Sequence, residues 1–153
     1  MIVVDASVWV AWLVATDAHH AASRSWIRRW LRRGGTVAIP QLAVVEVAGA
    51  IARRSGVAAL GRRAATTIMA LPALRPYPLD EAAFASATAL AAEHRLRGAD
   101  AVYVALAREL AVPLLSWDAE QLARAGTVVT SMRPMDDPAI TRSDASPPLD
   151  PQA

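Results

Sequence analysis

Very short apolar runs, each set off from the next by a helical pattern, constrain this chain more than any other feature. Ile2 to Val4, Thr36 to Ile39, Pro113 to Ser116 and Thr127 to Thr130 read as strands, with Leu74 to Tyr77 a weaker one between prolines. Helical stretches fill the intervals: about Ser7 to Val14, His20 to Arg33, Gln41 to Arg54, Val57 to Leu71, Asp80 to Arg95, Asp100 to Leu110 and Ala119 to Arg124. Strands this short and this apolar, alternating with helices, predict βαβ units and a parallel sheet covered on both faces. The fold class is therefore α/β, three layers with a short central parallel sheet. In such sheets, sites form at the carboxyl ends of the strands, near the point where strand order reverses.

Composition sharpens the chemistry by what it lacks. The chain has no Cys, which excludes thiol catalysis, disulfides and thiolate metal sites. It also has no Lys, all sixteen basic residues being Arg, so a Walker A loop and a Schiff-base lysine are both excluded. Carboxylate, hydroxyl, His and Arg chemistry remains. No apolar run reaches the roughly 18 residues that a membrane span needs, and the start MIVVD lacks the basic region of a signal peptide. A cytoplasmic protein with no membrane partner is expected.

The 153 residues divide into one domain over 1–132 and a tail over 133–153. The tail, RPMDDPAITRSDASPPLDPQA, carries four Asp and five Pro without apolar periodicity, the composition of a disordered segment. Residues 1–133 hold fifteen Arg against ten acids, a balance that favours a polyanionic partner.

Four carboxylates stand out. Asp5 closes the first strand and precedes a helix; Asp118, in PLLSWDAEQL, repeats that placement; Asp100, in GADAVYVALA, opens a helix. Each of the three, taken singly, also reads as an N-cap. Glu46 does not, being the only charge between Pro40 and Arg53, inside the apolar helix QLAVVEVAGAIA. An ionised carboxylate in such a place needs a partner, either one of the many Arg or a metal. Brought to one strand edge, four acids would repel unless a hard divalent cation, Mg²⁺ or Mn²⁺, stood between them. Ser7 and Ser116 each lie two residues from one of these Asp and could hydrogen-bond a carboxylate or a bound water. His19, His20 and His94 read as surface or capping residues.

IVVDASVWV, PQLAVVEVAGAI, RLRGADAVYVALA and LLSWDAEQL, in this order, closely resemble the PIN domain and, within it, the VapC-like ribonuclease toxins of bacterial toxin–antitoxin pairs. The resemblance covers about residues 1 to 132. It implies a Mg²⁺- or Mn²⁺-dependent endoribonuclease that cleaves RNA phosphodiesters by metal-activated water and is neutralised by a cognate antitoxin. The family's acids correspond to Asp5, Glu46, Asp100 and Asp118, and its Ser/Thr-x-Asp element to Ser116 and Asp118, with the bulky Trp117 between them.

Arg28 and Arg32, on the Arg-rich face of the second helix, and Arg53 and Arg54, at the end of the third, are candidate contacts to RNA, which could be tRNA or another structured RNA. Leu60, Ala64, Ile68 and Leu71 form an apolar stripe. VapC-like proteins typically dimerise through the helix that carries this stripe and the one before it, so a homodimer with Leu60 and Ile68 at or near its interface is expected. Two other readings stay open: a PIN-like domain that binds RNA or protein without cleaving, and another metal-dependent phosphoesterase such as a haloacid-dehalogenase-type phosphatase. The latter family wants a second Asp two residues after the first, where this chain has Ser7.

Overall fold

A computed structural model describes residues 1–138. Five strands and seven helices follow one another as β1 (Ile2–Val4), α1 (Ala6–Leu13), α2 (His20–Arg32), β2 (Val37–Pro40), α3 (Leu42–Ser55), α4 (Ala58–Met69), β3 (Leu74–Tyr77), α5 (Glu81–His94), α6 (Gly98–Glu109), β4 (Leu114–Leu115), α7 (Ala119–Ala125) and β5 (Ser131–Met132). The sheet is parallel throughout, in the order β3-β2-β1-β4-β5. Successive strands step outward from β1 on one side and then start again on its other side. The reversal of strand order therefore falls between β1 and β4, where Asp5 and Ser116 leave the sheet side by side.

The core explains why the central strands tolerate no polar residue. Val3, Val4, Ile39, Leu114 and Leu115 are fully enclosed, with Trp9 and Trp26 among the largest buried side chains. The α6 helix is buried from Ala101 to Ala107 and packs on β1, β2 and β4, so its first turn is carried directly over the centre of the sheet. Its Ala-rich sequence allows that close seat. The α3 and α4 helices also approach closely: a Cβ on Gly61 would lie 2.4 Å from the Ala48 carbonyl oxygen, so only glycine passes there.

Three expectations are corrected. The last strand is Ser131–Met132 rather than Thr127 to Thr130, because the amides of Val128 and Val129 both turn back to the Ala125 carbonyl and close the end of α7. Local β-propensity loses there to helix termination. The sixth helix starts at Gly98 rather than at about Asp100, and what separates it from α5 is Arg95, left-handed at φ 55°. Ile68, expected at a subunit interface, is 0% exposed and Ala64 is buried with it, both inside their own chain. Leu60 does remain open, at 45%, as do Val57 and Met69.

The body also runs past residue 132. A short 3-10 turn, Pro134–Asp136, packs against α2, and Asp137 is buried where its Oδ2 accepts the Trp26 indole N–H at 2.7 Å. The expectation of a tail beginning at 133 is thus corrected for its first residues. Residues 139–153 lie outside the described residues.

Candidate active site

Each acid reaches the reversal edge by a different local device. Asp5 caps α1, accepting the Ser7 amide at 2.8 Å through Oδ1, and Ser116 Oγ donates to the same oxygen at 3.2 Å. Ser116 is 0% exposed, and its Oγ in turn accepts the Asp118 amide at 3.0 Å. Ser7 Oγ lies 3.4 Å from Ser116 Oγ and accepts the Trp117 amide at 3.0 Å. The two serines thus tie the end of β1 to the turn after β4. Asp118 caps α7, its Oδ1 accepting the amides of Glu120 and Gln121 at 2.9 and 3.0 Å. For Asp5 and Asp118 the capping reading holds, and in each it engages Oδ1. The second oxygen of Asp118 faces Arg97, at 3.3 Å.

Asp100 is not a cap. The α6 helix begins two residues earlier, Arg97 being its N-cap, and the Asp100 carboxyl accepts no hydrogen bond from the described residues. Burial and the negative charges of Asp118, Asp5 and Glu46 push its pKa up to about 6, against a partial offset from Arg97. Glu46, half-buried on α3, has neither an Arg nor an amide partner among the described residues; the Tyr103 hydroxyl donates to its Oε2 at 2.6 Å. Burial raises the Glu46 carboxyl, the Tyr103 bond pulls it back, and Asp5 raises it further. Burial likewise raises Asp5, opposed by its bonds to Ser7 and Ser116. The four acids therefore stand in one another's field.

Among the described residues, no three His, Cys, Asp or Glu side chains already stand close enough together to wrap an ion. Like charges hold carboxylates apart, and Asp5, Glu46 and Asp118 each spend oxygen capacity on donors of the chain. The donor set nonetheless suits a hard divalent cation: carboxylates only, hydroxyls behind them, no sulfur, and one acid with no donor of its own.

Beside these acids opens a cleft of about 690 Å³, lined by Ser7, Glu46 and Asp118 together with His19, Arg53, Arg54 and Trp117. Arg53 and Arg54 are thus brought to the site. Arg28 and Arg32 are not; they lie exposed on α2 and do not line the cleft. His20 bonds the Ala11 carbonyl at 2.9 Å, and His94 contacts Thr127 at 3.2 Å, both structural positions. Sequence reasoning missed Tyr103 and Arg97, although both stand in the RLRGADAVYVALA segment. Tyr103 lies three residues past Asp100, on the buried side of α6, and a polar group at such a position needs a partner.

The sequence pattern of the PIN domain matches residues 2–127. The chain belongs to the PIN domain family. No curated protein matches it by sequence. Among solved structures, this PIN domain superposes on VapC20 of Mycobacterium tuberculosis, described as a sarcin-ricin loop cleaving toxin, with a TM-score of 0.68 and 23% identity over 80% of this chain and 94% of that one. A toxin–antitoxin complex from Klebsiella pneumoniae gives 0.65 at 17% identity, covering 88% of this chain and 98% of the other. VapBC2 of Rickettsia felis, bound to a DNA fragment from its promoter, gives 0.67 at 12%, covering 87% and 98%. At these identities the likeness is one of fold. Among the described residues no helix is long and apolar enough to cross a membrane.

Proposed function

We propose that this PIN domain is a Mg²⁺- or Mn²⁺-dependent endoribonuclease of the VapC kind, with Asp5, Glu46, Asp100 and Asp118 holding the ion. The observation that carries the reading is Asp100, a carboxyl without a hydrogen-bond donor, raised to about 6 by burial and three neighbouring acids. A bound cation relieves that repulsion, and when bound it supplies the Lewis acidity and the activated water that phosphodiester hydrolysis needs. The chain's own residues do the rest. Ser7 and Ser116 hold Asp5 and the turn carrying Asp118 in register. Arg53, which makes no hydrogen bond or ion pair among the described residues, folds over Gly49, where a Cβ would meet its Nη1 at 3.0 Å. That seat keeps a free guanidinium in the cleft beside Glu46, suited to a backbone phosphate.

Incubation of the pure protein with single-stranded and structured RNA, with Mg²⁺, Mn²⁺ or chelator, tests the reading. Cleavage is expected only with metal, leaving 3′-hydroxyl and 5′-phosphate ends. RNA bound but uncut in both metals would make this a binding module instead. The Tyr103→Phe variant keeps the packing of α6 but removes the bond that steadies Glu46 and lowers its pKa. It should weaken the apparent metal affinity about 10- to 100-fold, seen as a shift of the Mg²⁺ titration midpoint for cleavage to higher concentration. An unchanged midpoint would remove Tyr103 from the site's support.

An antitoxin partner is supported by the toxin–antitoxin complexes that share the fold. A second cleft of about 590 Å³, with Leu13, Val14, Ile51 and Leu60 on its walls beside Asp17, Arg54 and Arg63, offers such a peptide a seat of mixed apolar and charged character. A homodimer is supported by the exposed Val45, Val57, Leu60 and Met69 on α3 and α4. Light scattering should give twice the chain mass, reduced to one in Leu60→Asp. A wild-type monomer at micromolar concentration would end that reading.

A further inference from the structure

Trp117, the bulky residue between Ser116 and Asp118, is held in a single orientation. Its amide is bonded to Ser7 Oγ, and its indole N–H donates to Ser23 Oγ at 2.8 Å, with Ser23 itself completely buried. Against the indole lies the imidazole of His19, ring centroids 4.0 Å apart and planes inclined by only 9°. His19 is likewise tethered, its amide donating to Asp17 Oδ1 at 2.9 Å, while the other oxygen of Asp17 accepts Arg54 at 2.7 Å. The imidazole is exposed and makes no side-chain capping bond to α2, so capping does not account for its placement. Both rings line the same cleft as Glu46, Asp118 and Arg53.

We propose that His19, backed by Trp117, is a stacking platform for one unpaired base of the RNA, next to the scissile phosphate. The inference rests on the nuclease reading and extends it to how substrate is positioned. A flat ring fixed from behind, with its outer face open, is the form that base stacking uses, and every nucleobase presents a π-face to it. Trp117 serves to orient His19 and is a positioning residue. Because Arg53, Glu46 and Asp118 line the same cleft as His19, a base seated on His19 would bring its flanking phosphate into reach of a guanidinium and of the carboxylates. Such a platform favours single-stranded RNA, because a base inside a duplex offers no free face.

The test is steady-state cleavage of a short single-stranded RNA and of the same RNA made abasic at each position in turn. In wild-type protein one abasic position near the cleaved bond should raise KM about tenfold or more, with kcat within about twofold. His19→Ala should show the same rise with intact RNA and no further loss at that abasic position, since both changes remove one contact. His19→Phe, which keeps a flat ring but no ring nitrogen, should restore KM to near the wild-type value. Failure of every abasic position to raise KM in wild-type protein would overturn the platform without any variant having to fold. An unchanged KM in His19→Ala, or a His19→Phe as impaired as His19→Ala, would overturn it equally, the latter by showing that charge or a hydrogen bond is what His19 supplies. In all three cases cleavage by the wild type leaves the nuclease reading intact. Absence of any metal-dependent cleavage removes both.

Discussion

Replacing Asp100 by Asn should cut RNA cleavage on the order of 10²- to 10³-fold while making the protein more stable in chelator. The two effects share one origin. The carboxyl accepts no bond from the described residues, so Asn breaks none and fills nearly the same space, yet one of four mutually repelling charges is gone. The usual Asp pKa of 3.8 rises to about 6 in the folded protein. Between those values the folded chain binds the proton more tightly than the unfolded one, so stability falls as pH rises from about 4 to about 6, and the loss is complete above that. With solvent screening of this half-buried group allowed for, it amounts to about 1–2 kcal/mol at neutral pH. Urea unfolding of both proteins in chelator, at the two ends of that window, reads it: wild type should weaken more steeply than Asp100→Asn. A variant that cleaves RNA at the wild-type rate in Mg²⁺ would refute the proposed role of Asp100, and one less stable than wild type at neutral pH would refute the repulsion.

Ending the chain at Met132 should cost about 2–4 kcal/mol and lower the denaturant midpoint accordingly. The truncation takes away Asp137, whose carboxylate accepts the indole N–H of the deeply buried Trp26, and uncovers the face of α2 on which Pro134 is packed. An indole N–H left without an acceptor in the core accounts for about 1–3 kcal/mol of that loss. Asp137→Ala in the full chain should reproduce most of it, and Asp137→Asn, which retains a carbonyl oxygen for Trp26, much less. A chain ending at Met132 with an unchanged midpoint would mean that the contact contributes nothing to stability.

That acid marks where sequence reasoning stops. Within a run of Asp and Pro without periodicity, nothing local distinguishes Asp137 from Asp136, yet one is buried against a tryptophan 111 residues earlier and the other pairs with Arg133 on the surface. The same limit applies to Ile68. Periodicity showed that α4 has an apolar stripe, and correctly so, but a stripe does not say whether α3 or a second copy covers it. Glu46 follows suit: a lone charge in an apolar helix had to have a partner, and the hydroxyl of Tyr103, far off in sequence, is the one it has.

Other features were already present in the order of residues, because their causes are local. Strand runs of a few apolar residues between helical patterns admit little but a parallel sheet with helices on both sides. An Asp directly after such a run stands at the carboxyl end of its strand whatever the rest of the chain does. Asp5, and the Ser116-x-Asp118 element after β4, follow from that rule. Which strands become neighbours is not local. The β1 strand pairs with both β2 and β4, and only that pairing sets the two serines against one another, carries the first turn of α6 over the same edge, and puts the rings of His19 and Trp117 in contact. Backbone pattern and strand ends are decided over a few residues; the partners of a charge, an indole or a helix face are decided by packing between segments a hundred residues apart.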